Sequence, residues 1–315
     1  MTEPLLRAGV IGVGALGRHH ARVWSTTPGT VLVGVHDLDA ARAAEVAARH
    51  GCRPFPDADS LLAQVDAVSI AVPTVAHHAV ARLALERRRD VLLEKPITAT
   101  LAEADDLVAR AAEQGCLFQA GHIERFNPAT SVLLEAGRGA RFVEVHRLGS
   151  FSARSLDVDV VLDLMIHDLD IVLALDGSEP VQVDAVGVPV LSSRVDIANA
   201  RLRFASGLIA NLTASRVSTE KVRKFRVFAP KTYVSVDLAS REAQVYRLTA
   251  GAEAAPQIRV ETSAAPEVDP LRLQAEAFVE SVRTRRPPAV TGADGRRALA
   301  LAHVILGRIG DASAP

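Results

Sequence analysis

The chain has 315 residues, 49% apolar and 23% charged, an ordinary globular composition whose length at roughly 150 residues per domain predicts two domains. Thirty-six basic against thirty-seven acidic residues leave a net charge of −1, which supplies no cationic field for nucleic acid or an anionic membrane surface. Only four of the basic residues are lysines, Lys95, Lys221, Lys224 and Lys231, so each lysine stands out against an arginine-rich background.

The N-terminal run Leu5 to Val13 is apolar but short, interrupted by glycines and without a basic leader, so it reads as a buried strand rather than a signal peptide. Two cysteines, Cys52 and Cys116, build no disulfide framework and have no metal-ligand spacing, so no metal is expected. A soluble, cytoplasmic protein is the expectation. The first strand breaks into Gly12-Val13-Gly14-Ala15-Leu16-Gly17, and a helix follows from Arg18. In this spacing Gly12 permits a tight turn, Gly14 lets the backbone approach a diphosphate, and Gly17 lets the helix pack close to the strand. The helix N-terminus then offers unpaired N–H groups to the phosphates.

A second apolar run, Val31 to His36, ends at Asp37, about twenty residues past the last glycine, where a carboxylate accepts the ribose hydroxyls of NAD. Asp37 could instead cap the next helix, but Asp39 is better placed for that. Leu38 and Asp39 bring neither Arg nor Ser for a 2′-phosphate, so NAD is expected over NADP. Strand and helix signals then alternate: Asp66 to Val72, a helix from His77 to Arg89, Asp90 to Glu94, a helix from Leu101 to Gln114, and Cys116 to Ala120. Such alternation predicts a doubly wound parallel sheet, an α/β Rossmann domain over residues 1–121. Beyond its strand ends lie Pro73, Thr74 and His77, and then Glu94, Lys95 and Pro96, all but Pro96 being expected to line the cofactor. A lysine ammonium can give up its proton when desolvated whereas a guanidinium stays charged, which marks Lys95 as a candidate for chemistry on a hydroxyl.

Residues 122–315 are expected to form a second domain for substrate binding and oligomerisation, entered through Gly121 to Pro128, with Pro128 suited to a helix first turn. Arg141 to Arg147 alternates like a half-buried strand, and Asp159 to Leu175 reads as one helix with Asp163, His167 and Asp170 at i, i+4 and i+7, ringed by apolar side chains. An imidazole, with its ordinary pKa of about 6.5, is a natural general base. His122, Arg125 and Asn127, with Arg154, Asp163 and His167, are the candidate substrate contacts. Residues 180–262 read as strands. Within them Arg216, Lys221, Arg223, Lys224, Arg226 and Lys231 face only Glu220 in charge, either a solvated or interface rim or an electropositive wall for an anionic substrate. Helices are expected over Pro270 to Arg285 and Gly295 to Ile309.

The glycine turn, Asp37, Pro73-Thr74-x-x-His77, Glu94-Lys95-Pro96 and Asp163-x-x-x-His167, in this order and spacing, resemble the Gfo/Idh/MocA family of nicotinamide-dependent oxidoreductases over essentially the whole chain. The resemblance implies a C-terminal α/β domain with an open, mostly antiparallel sheet that makes a homodimer or homotetramer interface. It also implies oxidation of a secondary sugar hydroxyl to a ketone, with Lys95, His167 and Asp163 catalytic and the base either His167 or Lys95. Blocks 121–128, 160–168 and 215–218 resemble the branch of the family that acts on C3 of nucleotide sugars such as UDP-N-acetylglucosamine, in lipid A or surface-polysaccharide amino-sugar synthesis. Alternatives are an inositol- or glucose-type dehydrogenase, a non-catalytic NAD-binding sensor, and a reductase of a non-sugar substrate.

Overall fold

The computed structural model describes residues 4–151, 158–249, 256–264 and 268–312. The chain forms two units, the first built from residues 1–123 and 268–296, the second from 124–267 and 297–315.

In the first unit, six strands run parallel: β1 (Leu6–Ile11), β2 (Thr30–His36), β3 (Arg53–Pro54), β4 (Ala67–Ile70), β5 (Asp90–Glu94) and β6 (Phe118–Gly121), in the order β3-β2-β1-β4-β5-β6. β4, β5 and β6 are buried at every position, as strands covered on both faces must be. The connecting helices are α1 (Gly17–Trp24), α2 (Ala40–His50), α3 (Ala58–Leu62), α4 (Thr74–Glu86) and α5 (Leu101–Gln114). Local chemistry sets their ends. Asp39 caps α2 by accepting from the Arg42 amide at 3.0 Å, and Thr100 and Glu103 form a reciprocal capping box at the start of α5. α4 starts three residues before the sequence pattern suggests, because Pro73 supplies an extended residue from which Thr74 enters the helix directly.

A single cut after residue 121 does not describe this unit. The late helix α8 (Pro270–Thr284), capped by Asp269, adds Leu271, Ala275, Phe278 and Val279 to the core of β1, β2 and α1, with Phe278 edge-on to Trp24 at 6.3 Å between ring centroids. The Trp24 indole N–H is satisfied by the Ser69 hydroxyl at 2.7 Å.

The second unit carries α6 (Pro128–Ala136), β7 (Phe142–Leu148), α7 (Ile166–Asp176), β8 (Pro180–Val188), β9 (Ile197–Phe204), β10 (Ile209–Ser215), β11 (Val222–Ala229), β12 (Thr232–Asp237), β13 (Glu242–Thr249) and β14 (Gln257–Ala264). α9 (Gly292–Ala312) begins in the first unit and ends here. The sheet order is β14-β13-β12-β11-β7-β10-β9-β8, and β7 with β10 is the one parallel pair among the described strands of this sheet. Alternation along β7 sends Val143, Val145 and Arg147 toward the helices, where Leu133 of α6, Leu169 and Val172 of α7 and Leu301 and Ile305 of α9 complete the core. The opposite face stacks Phe142, Phe228, Tyr233 and Tyr246 across four strands at centroid spacings of 5.6, 5.0 and 5.3 Å.

Candidate functional site

The strand order reverses between β1 and β4, which opens a crevice beyond their carboxyl ends. The glycine turn occupies it. Gly12 holds φ at +82°, and a Cβ there would come within 2.8 Å of the Ala71 carbonyl oxygen and the Val72 amide. A Cβ on Gly17 would overlap the carbonyl oxygen of Gly12, so α1 can lie this close to the strand only with glycine. At Gly14 a Cβ would meet nothing within 4 Å, leaving backbone open to a ligand. Asp37 closes the turn from β2, its Oδ2 accepting the Val13 amide at 2.8 Å and its Oδ1 the Asp39 amide at 2.9 Å. These residues fit a dinucleotide: open backbone at a helix N-terminus for the diphosphate and a fixed carboxylate for the ribose. Leu38 next in the chain is 99% exposed and Val75 at the start of α4 is 84% exposed, two apolar side chains on the same edge that a bound cofactor can cover.

Lys95 follows β5 and is half-buried on a turn whose neighbours point inward. Glu94, expected at the cofactor, is buried instead: its Oε1 lies 2.9 Å from Nε2 of His20 on α1. His77, also expected there, is 1% exposed and sits between two main-chain oxygens, Nδ1 2.8 Å from Pro96 O and Nε2 2.9 Å from Val72 O. Burial lowers the His77 pKa against the opposing pull of the two carbonyls. Both side chains thus hold the Lys95 turn rather than face a ligand. Pro73 is exposed and Thr74 half-buried at the α4 N-terminus, and His122 is buried at the end of β6.

In the second unit the expected single helix is two pieces, a π-helical turn Val161–Met165 that feeds into α7. The wider turn breaks the strict α spacing, a feature frequent at functional sites. Asp163 in the π turn and His167 in the first turn of α7 are both half-buried. Asp170 is not a third member of an open face: it is buried and paired with Arg125 at 3.3 Å. Asn127 is a cap, not a substrate contact, since it is 2% exposed, accepts the Ala129 amide at 3.1 Å and donates to Leu238 O at 3.0 Å. Arg154 lies outside the described residues.

Three of the six basic side chains of the expected electropositive wall face carboxylates. Arg216 is buried against Asp196 at 2.7 Å, Arg226 pairs with Glu144 at 2.7 Å, and Arg223 lies 3.7 Å from Glu124. The three arginines of the stretch thus serve as scaffold. Beneath His167, and legible only through contacts distant in sequence, Asp168 takes a two-pronged interaction from buried Arg147, at 2.9 Å from Nε and 2.7 Å from Nη2, while Nη1 reaches Glu124 at 3.0 Å. Burial raises the Asp168 pKa, with Arg147 opposing it. Burial pushes both cysteine thiols up to about 11.

A dinucleotide crevice paired with a mixed-sheet second unit defines a Rossmann-type oxidoreductase. Residues 6–122 match the GFO/IDH/MocA oxidoreductase family with its NAD-binding Rossmann fold, and residues 136–234 match the family's C-terminal domain. The chain belongs to this family. It is 45% identical over 299 residues, 94% of this chain and 95% of the other, to UDP-N-acetylglucosamine 3-dehydrogenase of Acidithiobacillus ferrooxidans. A solved structure of the enzyme so named from that organism superposes with a TM-score of 0.92 at 42% identity, covering 98% of this chain and 99% of that one. Myo-inositol 2-dehydrogenase of Thermotoga maritima is 25% identical over 95% of this chain and 94% of its own length. A levoglucosan dehydrogenase in complex with NADH and levoglucosan shares the fold at a TM-score of 0.86 and 19% identity, covering 98% of each chain. NAD is the cofactor of this chain's first unit.

Proposed function

We propose that this protein oxidises the 3-hydroxyl of UDP-N-acetylglucosamine to the ketone with NAD as acceptor. The observation that carries this reading is the 45% identity to UDP-N-acetylglucosamine 3-dehydrogenase, which runs through both units. His167 takes the hydroxyl proton as general base, Lys95 donates a hydrogen bond to the oxygen as it becomes an alkoxide, and Asp163 orients the alcohol or the imidazole. NAD, when bound, supplies the two-electron acceptor for the carbon-bound hydrogen. The turn that carries Lys95 is preorganised by His77 and by the Glu94–His20 pair, and the helix that carries His167 by Arg147 through Asp168.

The same reading places the enzyme in the cytoplasm, in amino-sugar synthesis for lipid A or surface polysaccharide, as a homodimer or homotetramer joined through the second unit's sheet. Supporting it, no described helix is long and apolar enough to cross a membrane, and Phe228, Leu248, Ile258 and Val260 are exposed on that sheet. A sensor without catalysis is disfavoured because Lys95, Asp163 and His167 are all present. The test is direct: Lys95→Met and His167→Ala should bind NADH as the parent does and lose turnover by at least about a hundredfold. Parent-like turnover in both would overturn the scheme.

A further inference from the structure

We propose that Arg42 is a latent 2′-phosphate site kept closed by Asp37. The inference rests on the assignment of NAD to the glycine turn. Arg42 is five residues beyond Asp37, and the first turn of α2 folds it back so that Nη1 donates to Asp37 Oδ1 at 3.2 Å. Its Nη2 lies 3.1 Å from Asp39 Oδ2. The guanidinium is therefore placed against the one carboxylate that receives the adenosine ribose hydroxyls in this fold.

The three groups differ in freedom, and the difference decides what each does. Asp37 is only 10% exposed and is fixed by the Val13 and Asp39 amides, so it cannot swing away to admit a larger ligand. Arg42 and Asp39 are 46% and 47% exposed, so their mutual ion pair is solvated and weak. Two carboxylates against one guanidinium leave the ribose end locally negative, which repels a phosphate dianion while leaving acceptors for two hydroxyls. With the Asp37 charge removed, the balance becomes even, and the planar fork of Arg42 is free to take phosphate oxygens in the bidentate manner that favours arginine. Asp39 alone does not hold it, since a solvated pair of this kind is worth at most about 1 kcal/mol.

The test is equilibrium binding of NADH and NADPH to the full chain, read from nicotinamide fluorescence, for the parent, Asp37→Ser, Arg42→Ala and the double variant. Asp37→Asn, which keeps an acceptor for the Val13 amide, serves as a second charge-removing variant should serine unsettle the turn. The parent should prefer NADH. Each Asp37 variant should bind NADPH at least about tenfold more tightly than the parent does, the step expected for one charge-assisted contact. Adding Arg42→Ala should abolish that gain, and Arg42→Ala alone should produce none. A double variant that binds NADPH as well as Asp37→Ser would overturn the proposal, because relief of repulsion would then be the whole effect. So would Asp37 variants that keep NADH binding and gain nothing for NADPH. A parent that bound neither dinucleotide would overturn the cofactor assignment together with this inference.

Discussion

Single side chains in this molecule act mainly by holding other groups in place, and His77 shows how. Its ring bridges the end of β4, through Val72 O, and the turn after β5, through Pro96 O. Replacing it by Phe keeps the ring's bulk and orphans the carbonyl that the imidazole N–H serves, which should lower stability by about 1–3 kcal/mol in urea unfolding. The same change should lower kcat by about tenfold or more, by loosening Lys95, with NADH affinity little changed. A fall confined to NADH affinity would instead return His77 to the cofactor. Gly17→Ala should abolish NADH binding, because its methyl would overlap the Gly12 carbonyl that shapes the turn. The glycines, Asp37 and the Lys95 position were legible because their spacing is local. The roles of His77, Glu94 and Asn127 were not, because a polar side chain's partner lies far away in the sequence: 19 residues for His77 and Pro96, 74 for Glu94 and His20, 111 for Asn127 and Leu238.

At the scale of elements, the π turn Val161–Met165 is held where it starts. Asp159 accepts the Val195 amide at 2.9 Å, Val195 O accepts the Val160 amide at 2.9 Å, and Arg216 donates to Val158 O at 2.7 Å. Arg216 is itself fixed by Asp196, which is wholly buried and also accepts the amides of Val190, Leu191 and Ser192. Burial alone would raise the Asp196 pKa, but the Ser192 hydroxyl, Arg216 and those amides outweigh it and hold the carboxyl well below its ordinary value. Its stabilising contribution is therefore complete above about pH 4 and drains away as the pH falls from there toward the folded value. Asp196→Asn should cost about 3 kcal/mol near neutrality, and its deficit relative to the parent should narrow between about pH 5 and about pH 3 in urea titrations. A deficit that does not change with pH would contradict this account. Periodicity marked β1, β2, β4 to β7 and the helices α1, α4, α5, α8 and α9, because burial repeats at two or 3.6 residues, and gave residues 180–262 only as a strand-rich region. It missed the π turn, which changes that repeat over five residues without changing composition.

At the scale of the whole molecule, the sequence suggested two domains and their fold classes, and the similarity to UDP-N-acetylglucosamine 3-dehydrogenase spans both units. The return of α8 to the first unit was hidden, since Leu271, Ala275 and Phe278 show an apolar face but not which core it joins. The aromatic stack on the outer sheet face gives the proposed oligomer a test. Tyr233→Glu should lower the mass measured by light scattering toward that of the single 33.4 kDa chain, and an unchanged mass would remove this face from the interface.

The central claim concerns the substrate, and the most direct measurement is the rate of NADH formation with UDP-N-acetylglucosamine, free N-acetylglucosamine and myo-inositol, each with a carbonyl trap to draw off the ketone. The account predicts turnover of UDP-N-acetylglucosamine with kcat/KM at least about a hundredfold above the two uncharged compounds. Equal or faster oxidation of myo-inositol or the free sugar, or no NADH from any of the three, would contradict it.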